Sequence, residues 1–233
     1  MKLLSLSRGY LHRSHKSPLI AKYERKLAWS SANFAFMTDT VMGLYGGGFK
    51  QKEMLSARFG DILSWMYILT ATLKRYEAEG ERQEDRVYVE FIGAYTLTQI
   101  QRAYEDIYAN IGSGVINFIF KYIVGFIHRV NTFASKPSDS LYIALAKKIS
   151  QDDVARNTLT EGIYLPDDDT ESLAAIDRCF ENVLKTKSIK IKIKKALRSK
   201  TLHKGATLYA DALDADVITT DEFELLVRTQ EMS

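Results

Sequence analysis

Few side chains in this 233-residue chain are of a type and spacing that could carry out chemistry. Cys179 is the only cysteine, which excludes an internal disulfide framework and a multi-cysteine zinc site. It falls inside a regular helical pattern with no positioned histidine nearby, so it lacks the setting of a nucleophile. His128 closes an apolar run and has no second histidine at a metal-site spacing. It is read as a helix C-terminal cap or a surface residue. Gly46, Gly47 and Gly48 invite a phosphate-cradle reading, but the GxxxxGK[ST] spacing and the preceding strand are missing. A left-handed helix cap followed by a loop is the expectation. Asp167, Asp168, Asp169 and Glu171 are calcium-ligand types without the EF-hand spacing or its terminal glutamate. Acids at the start of a helix explain them better. No Ser, His and Asp set in a nucleophile context, no GxGxxG and no HExxH occurs. Neither catalytic nor cofactor-binding nor metal-ligating residues are predicted.

The strongest charge feature runs from Lys185 to Lys204, where nine lysines and arginines occur with no acid. Ile189, Ile193 and Leu197 share a helical face, while Ile189, Ile191 and Ile193 also alternate as a strand would. The helix fits its neighbours better, giving a basic amphipathic helix. Lys190, Lys192, Lys194, Lys195 and Arg198 are its candidate anionic-surface contacts. A solvated or partner-facing surface ranks first, a membrane surface second and nucleic acid last, because the run has no aromatic side chain for bases to stack on.

These residues ride on helices. With 46% hydrophobic and 26% charged residues the composition is that of a globular protein, and 13 Gly with 3 Pro gives too little turn punctuation for an all-β chain. An all-α fold is predicted: an antiparallel bundle of three long helices followed by shorter ones. The first runs from about Leu19 to Tyr45, its stripe interrupted only by Ser30. The second, Leu55 to Gly80, has the longest unbroken pattern: Leu55, Phe59, Ile62, Met66, Leu69, Leu73 and Tyr76 at alternating steps of four and three. A row through Arg58, Asp61, Trp65, Ile68, Thr72 and Arg75 is apolar only in its middle, which predicts cover on two sides at the helix centre. A further row of Ala57, Gly60, Ser64 and Ala71 is small, predicting close approach by another helix and a central place in the bundle. The third helix spans about Asp85 to Asn110, with Leu97, Ile100, Tyr104, Ile107 and Ile111 as its stripe, and short connections make the three antiparallel neighbours.

The segment VINFIFKYIVGFIHRV, residues 115–130, is apolar around most of a helix. It is shorter than the roughly 20 residues of a membrane span, and burial against the bundle is favoured over a membrane or partner surface. Pro137 marks an internal boundary, with Ser138 or Asp139 capping a helix through Ile149. A helix with the stripe Leu173, Ile176, Phe180 and Leu184 follows, then the basic run, then helices at about Thr207 to Leu213 and Asp221 to Gln230. Thr219 and Glu222 have capping-box spacing. The organisation expected is a basic leader or linker over 1–18, a long-helix bundle over 19–135 and a shorter-helix region over 136–233 packed on the bundle as one unit. The leader superficially suits an organelle transit peptide, but Pro18 and scattered Gly and Ser break any amphipathic pattern. The formal charge of +3 is too small to imply a nucleic-acid partner, and the single cysteine suits a reducing, cytoplasmic compartment, with membrane association open.

The order of several phrases carries a resemblance. They are KYERKLAWSSANFAFMTDTVMGLYGGGFKQKEMLSARFGDILSWMYILTATLKRYEAEG, KPSDSLYIALAKKI, GIYLPDDD, SIKIKIKKAL and ADVITTDEFELL. Together they resemble the C-terminal module of the large bacterial acyl-CoA dehydrogenases of fatty acid β-oxidation, from about Lys22 to Arg228. In that family FAD, the substrate tunnel and the glutamate base belong to a preceding catalytic core, to which no segment here is similar. The resemblance therefore implies no catalytic or FAD-binding position on this chain, and an accessory domain that is inactive alone. A fragment, a split subunit or a free-standing descendant is implied, with the catalytic core as partner in cis or as a separate chain, and a homo-oligomer as a further assembly. Arg58 and Asp61, in the best-matching stretch, are read as helix-surface or inter-domain partners. The alternative is a non-enzymatic protein binding anionic membranes through residues 117–129 or the basic run.

Overall fold

The computed structural model describes residues 16–130, 132–150, 158, 160–164, 166, 171–205 and 207–231. Among them there is helix and no strand. The chain divides into two compact units, Met1–Lys147 and Lys148–Ser233.

In the first unit, α1 spans Pro18–Tyr45, α2 Glu53–Ala78 and α3 Arg86–Asn110. Proline at the first position of α1 suits a helix start, because its missing N–H is unpaired there anyway. Gly46 has a positive φ but a ψ of −131°, so it is no left-handed cap, and Gly46–Gln51 form a tight 3-10 turn where a loop is expected. α2 ends as the pattern predicts. Gly80 adopts a φ of 79°, and the Glu81 N–H donates to the Tyr76 carbonyl at 2.9 Å, closing the last turn.

The stripe of α2 is fully realised: its seven buried residues are Leu55, Phe59, Ile62, Met66, Leu69, Leu73 and Tyr76. Its other two rows behave otherwise than expected. Ala57, Gly60, Ser64 and Ala71 are all exposed, and of the mixed row only Trp65, edge-on to Tyr95, reaches another element near the helix centre. The central helix is α3, whose buried set includes Val89, Gly93, Thr96, Leu97, Ala103, Tyr104 and Tyr108 and so surrounds much of its circumference. Small residues permit close approach on whichever helix carries them, and at Gly93 the approach is real. The Tyr23 ring of α1 lies where a Gly93 Cβ would be, and its hydroxyl donates to the Glu90 carbonyl at 3.0 Å.

Several polar groups between α1 and α3 are paired. Tyr104 donates to the Ser30 carbonyl at 2.7 Å, and the Asn33 amide donates to the Tyr108 hydroxyl at 2.9 Å. The polar step Ser30 in the α1 stripe is thus a fully buried contact to α3. Burial raises the pKa of both tyrosines, that of Tyr108 to about 12, so they are held neutral as hydrogen-bonding groups.

After α3 come α4 (Gly114–Phe118), a wide π-helical stretch over Ile119–Val124, α5 (Gly125–Val130) and α6 (Asp139–Ile149). The Ser138 hydroxyl accepts from the Leu141 N–H at 3.3 Å, which makes Ser138 the cap.

The second unit is built on α7 (Ser172–Arg198), α8 (Leu208–Asp214) and α9 (Thr220–Glu231). The Leu173 stripe and the basic run form one continuous helix rather than two. Leu173 and Ile176 are exposed, because the core of this unit gathers around Ile189, Ile193 and Ala196 with Leu202, Ala212, Ile218 and Leu226. The capping box is complete: Glu222 N–H donates to Thr219 Oγ1 at 3.3 Å, and Thr219 N–H to Glu222 Oε2 at 3.1 Å. The leader up to residue 15 and the acids 167–169 lie outside the described residues.

Candidate interaction surfaces

Among the described residues no group of three or more His, Cys, Asp or Glu is placed to hold a metal ion. Cys179 is half-buried on α7. What the structure offers instead are surfaces.

The largest apolar one is residues 115–130. Burial is the expectation for this segment, and the structure overturns it. Phe118, Tyr122 and Phe126, one helical turn apart, are 58%, 57% and 64% exposed, and Val115, Ile119, Ile123, Ile127 and Val130 are exposed beside them. The bundle takes up only one narrow side of the segment. Gly125 backs onto Tyr108, where a Cβ would stand 3.3 Å from the Phe120 carbonyl, and Asn117 donates to the carbonyls of Ala109 and Ile111.

His128 is the side chain that anchors it. Neither cap nor surface residue, it is buried among Trp29, Tyr104, Tyr108 and Phe133, with ring centroids 5.1–5.9 Å away. Neither ring nitrogen has a hydrogen-bond partner among the described residues, and the same holds for the neighbouring Trp29 Nε1. Desolvation lowers the His128 pKa to about 4, so the imidazole is neutral near pH 7. A histidine at the end of an apolar run reads from the sequence as its polar end. Only the aromatic box, assembled from α1, α3 and Phe133, shows it to be core.

Arg58 and Asp61 part company. Arg58 is half-buried on the wall of an open cleft of about 540 Å³ that Tyr45, Lys52, Glu53, Leu55, Asn110 and Gly112 help to line. The Lys52 ammonium stands over the Tyr45 ring at 5.6 Å, and the Tyr45 hydroxyl accepts the Gly112 N–H at 2.6 Å. Arg58 makes no hydrogen bond or ion pair among the described residues. Asp61 is exposed one turn further on and does not line the cleft. Two cations, Lys52 and Arg58, and the Glu53 carboxylate share the wall of this cleft.

The basic row of α7 is partly engaged. Lys192 pairs with Glu222 at 2.6 Å, which together with the Thr219 N–H holds the Glu222 carboxyl below its usual range. Lys190, Lys194, Lys195 and Arg198 are exposed. The apolar side of this stretch, Ile189 and Ile193, already lies in the core of its own unit. It is not available for insertion among lipid tails, which leaves the row an electrostatic surface only. Among the described residues no helix is long and apolar enough to cross a membrane.

No solved structure matches the chain. A family model described as "Acyl-CoA dehydrogenase, C-terminal, bacterial type" does, over residues 2–233. A match of that extent carries one conclusion: this chain belongs to the family of bacterial-type acyl-CoA dehydrogenase C-terminal domains.

Proposed function

We propose that the chain serves as the accessory domain of a FAD-dependent acyl-CoA dehydrogenase of fatty acid β-oxidation, docking on the catalytic core and assisting its assembly or its access to substrate. The observation that supports this most is the family match from residue 2 to residue 233, to a domain named for its place in that enzyme. The exposed apolar residues of 115–130 suit the docking role, since a patch of this density on one segment marks an interaction site more often than free surface. The flavin and the α-proton base are assigned to the core, and nothing in this domain is given a chemical step. The test is to mix the purified chain with a separately produced catalytic core and follow co-elution and dehydrogenase activity. The chain alone is expected to be colourless and inactive and to co-elute with the core, and Phe118→Ser with Phe126→Ser to abolish co-elution. A core that never binds the chain overturns the proposal.

A second reading, an anionic membrane surface as the partner, draws on the same segment. Residues 107–138 contain no acid but hold Lys121, Arg129 and Lys136, a charge balance suited to anionic headgroups around an apolar face. Co-sedimentation with vesicles containing phosphatidylglycerol separates the two readings. Pelleting that the Phe118 and Phe126 changes remove supports lipid; a chain that stays in the supernatant excludes it. Lys190, Lys194, Lys195 and Arg198 enter this reading only as an auxiliary electrostatic contact, and their reversal to glutamate is expected to lower pelleting modestly.

A further inference from the structure

The second unit carries a charge arrangement that its own fold does not need. The core side of α7 is set by Ile189, Ile193 and Ala196. At roughly 100° per residue, Lys187, Ile191, Lys194 and Arg198 fall on the opposite side, with Lys190 and Lys195 at its edges. All six are exposed. Lys192 is held by Glu222, but none of the cations of the outer side makes an ion pair or hydrogen bond among the described residues. Like charges therefore stand about one turn apart at Lys187 and Lys190, at Lys190 and Lys194, and at Lys194 and Arg198, and each such pair weakens the helix. A row meant only for solvation would mix its signs, as the preceding Glu181 and Lys185 do at 3.6 Å.

Ile191 lies in the middle of the row, 61% exposed, with Lys187 one turn before it and Lys194 and Lys195 one turn after. One isoleucine is too little apolar surface to hold a helix among lipid tails, and bases stack on rings rather than on an aliphatic side chain. Cations around one apolar residue are matched by a peptide with carboxylates around one apolar residue. Another flank of the same helix already makes a contact of this kind. α9 opens with Asp221, Glu222, Phe223 and Glu224, and it packs on α7 by placing Leu226 in the core with Ile189 and Ile193 while Glu222 reaches Lys192 at 2.6 Å.

We propose that the outer side of α7 from Lys187 to Arg198 docks an acidic amphipathic segment of a partner protein, Ile191 receiving an apolar side chain and Lys190, Lys194 and Arg198 its carboxylates. The row is about 16 Å long, room for some three turns of a facing helix. Its cations supply the rate of encounter and the salt dependence, and the isoleucine supplies a short-range anchor. The site belongs to the second unit and does not rest on the docking assigned to residues 115–130, so its failure would leave that reading standing.

The test is fluorescence anisotropy on the full chain with a labelled synthetic peptide of glutamates carrying leucine at every third or fourth position, beside an all-glutamate peptide of equal length. Duplex DNA and phosphatidylglycerol vesicles serve as competitors. The leucine-containing peptide is expected to bind with a Kd of roughly ten micromolar, several-fold tighter than the all-glutamate peptide, and to weaken as salt rises. Lys194→Glu should weaken binding by about tenfold. Its melting temperature should hold or rise, because the new carboxylate stands one turn from both Lys190 and Arg198. Ile191→Gln should weaken the leucine-containing peptide roughly fivefold and leave the all-glutamate peptide unchanged. A wild-type chain that ignores the leucine-containing peptide at about 100 times that concentration, or binds it no better than the all-glutamate one, overturns the proposal. So does DNA or vesicle that displaces the peptide at a lower concentration of charge and loses that ability in Lys194→Glu, since a nucleic acid or a membrane is then the occupant.

Discussion

Two neighbouring helices of nearly equal length, α2 and α3, solve opposite problems. α2 buries a single stripe of seven residues and, Trp65 apart, leaves most of the rest of its circumference exposed. α3 is covered by α1, α2 and the segment after it, and buries glycine, threonine and tyrosine along with its aliphatics. The difference teaches that a clean heptad of large apolar residues marks a helix that packs through one face. A blurred pattern with small and hydroxyl-bearing residues marks the helix in the middle. Thr96 and Thr98 illustrate how α3 tolerates burial, since each donates its hydroxyl to a carbonyl in the preceding turn, Ile92 and Ala94 respectively.

This contrast can be broken by mutation. On the α2 stripe, Leu69→Ala or Ile62→Ala should cost about 2–5 kcal/mol in chemical denaturation, because both are fully buried in a close-packed core. Around α3, the His128 box gives a pH signature. His128 has an ordinary value of 6.5 and a folded value near 4. As pH falls through 6.5 the unfolded chain takes up a proton that the folded chain refuses. Stability is therefore complete above pH 6.5 and is lost progressively towards pH 4, by up to about 3 kcal/mol. Denaturation between pH 7 and 5 should show the slope, and His128→Phe should flatten it.

Gly93→Ala on α3 should cost about 1–3 kcal/mol by driving a methyl into the Tyr23 ring, despite alanine's better helix propensity. The equivalent change on the outer face of α2, Gly60→Ala, should be neutral or stabilising, and thermal melts of the two compare the helices directly. In the second unit, Thr219→Ala removes one half of the capping box and should cost about 1 kcal/mol, read from the same melts. Smallest of all, Tyr67→Ser should leave stability within about 0.5 kcal/mol, since its ring is exposed.

The long helices, the α2 stripe, the closing turn at Gly80 and the capping box were legible in the sequence because each rests on local spacing and local chemistry. The small row on α2 was not, because Gly60 and Gly93 look alike as letters. Which of them meets another helix depends on where Tyr23 falls. Residues 115–130 misled in the other direction. Apolarity on all sides predicts burial only if the rest of the fold has surface to offer, and here a single narrow side is matched. His128 and Phe133 belong to the core through contacts with α1 and α3, separations that no window of a dozen residues can see. Of the candidate surfaces, the basic row was visible as charge, yet that its apolar side was already taken became visible only with α8 and α9 in place. Arg58 and Asp61 came from the resemblance alone, and nothing in their spacing separates the cleft residue from the exposed one.

The wide stretch at Ile119–Val124 carries a last consequence. A regular α-helix turns by roughly 100° per residue, and a π-helical turn holds one residue more than that geometry allows. Removing one residue from 119–124 would therefore let the stretch wind as an ordinary helix while the residues after it keep their facing, so Gly125 and His128 would stay against Tyr108. Removing Phe126 or Ile127 instead, inside the regular turn of α5, would turn His128 by about 100° out of the aromatic box. The wide stretch is thus the place where this segment can lose a residue without losing its anchor.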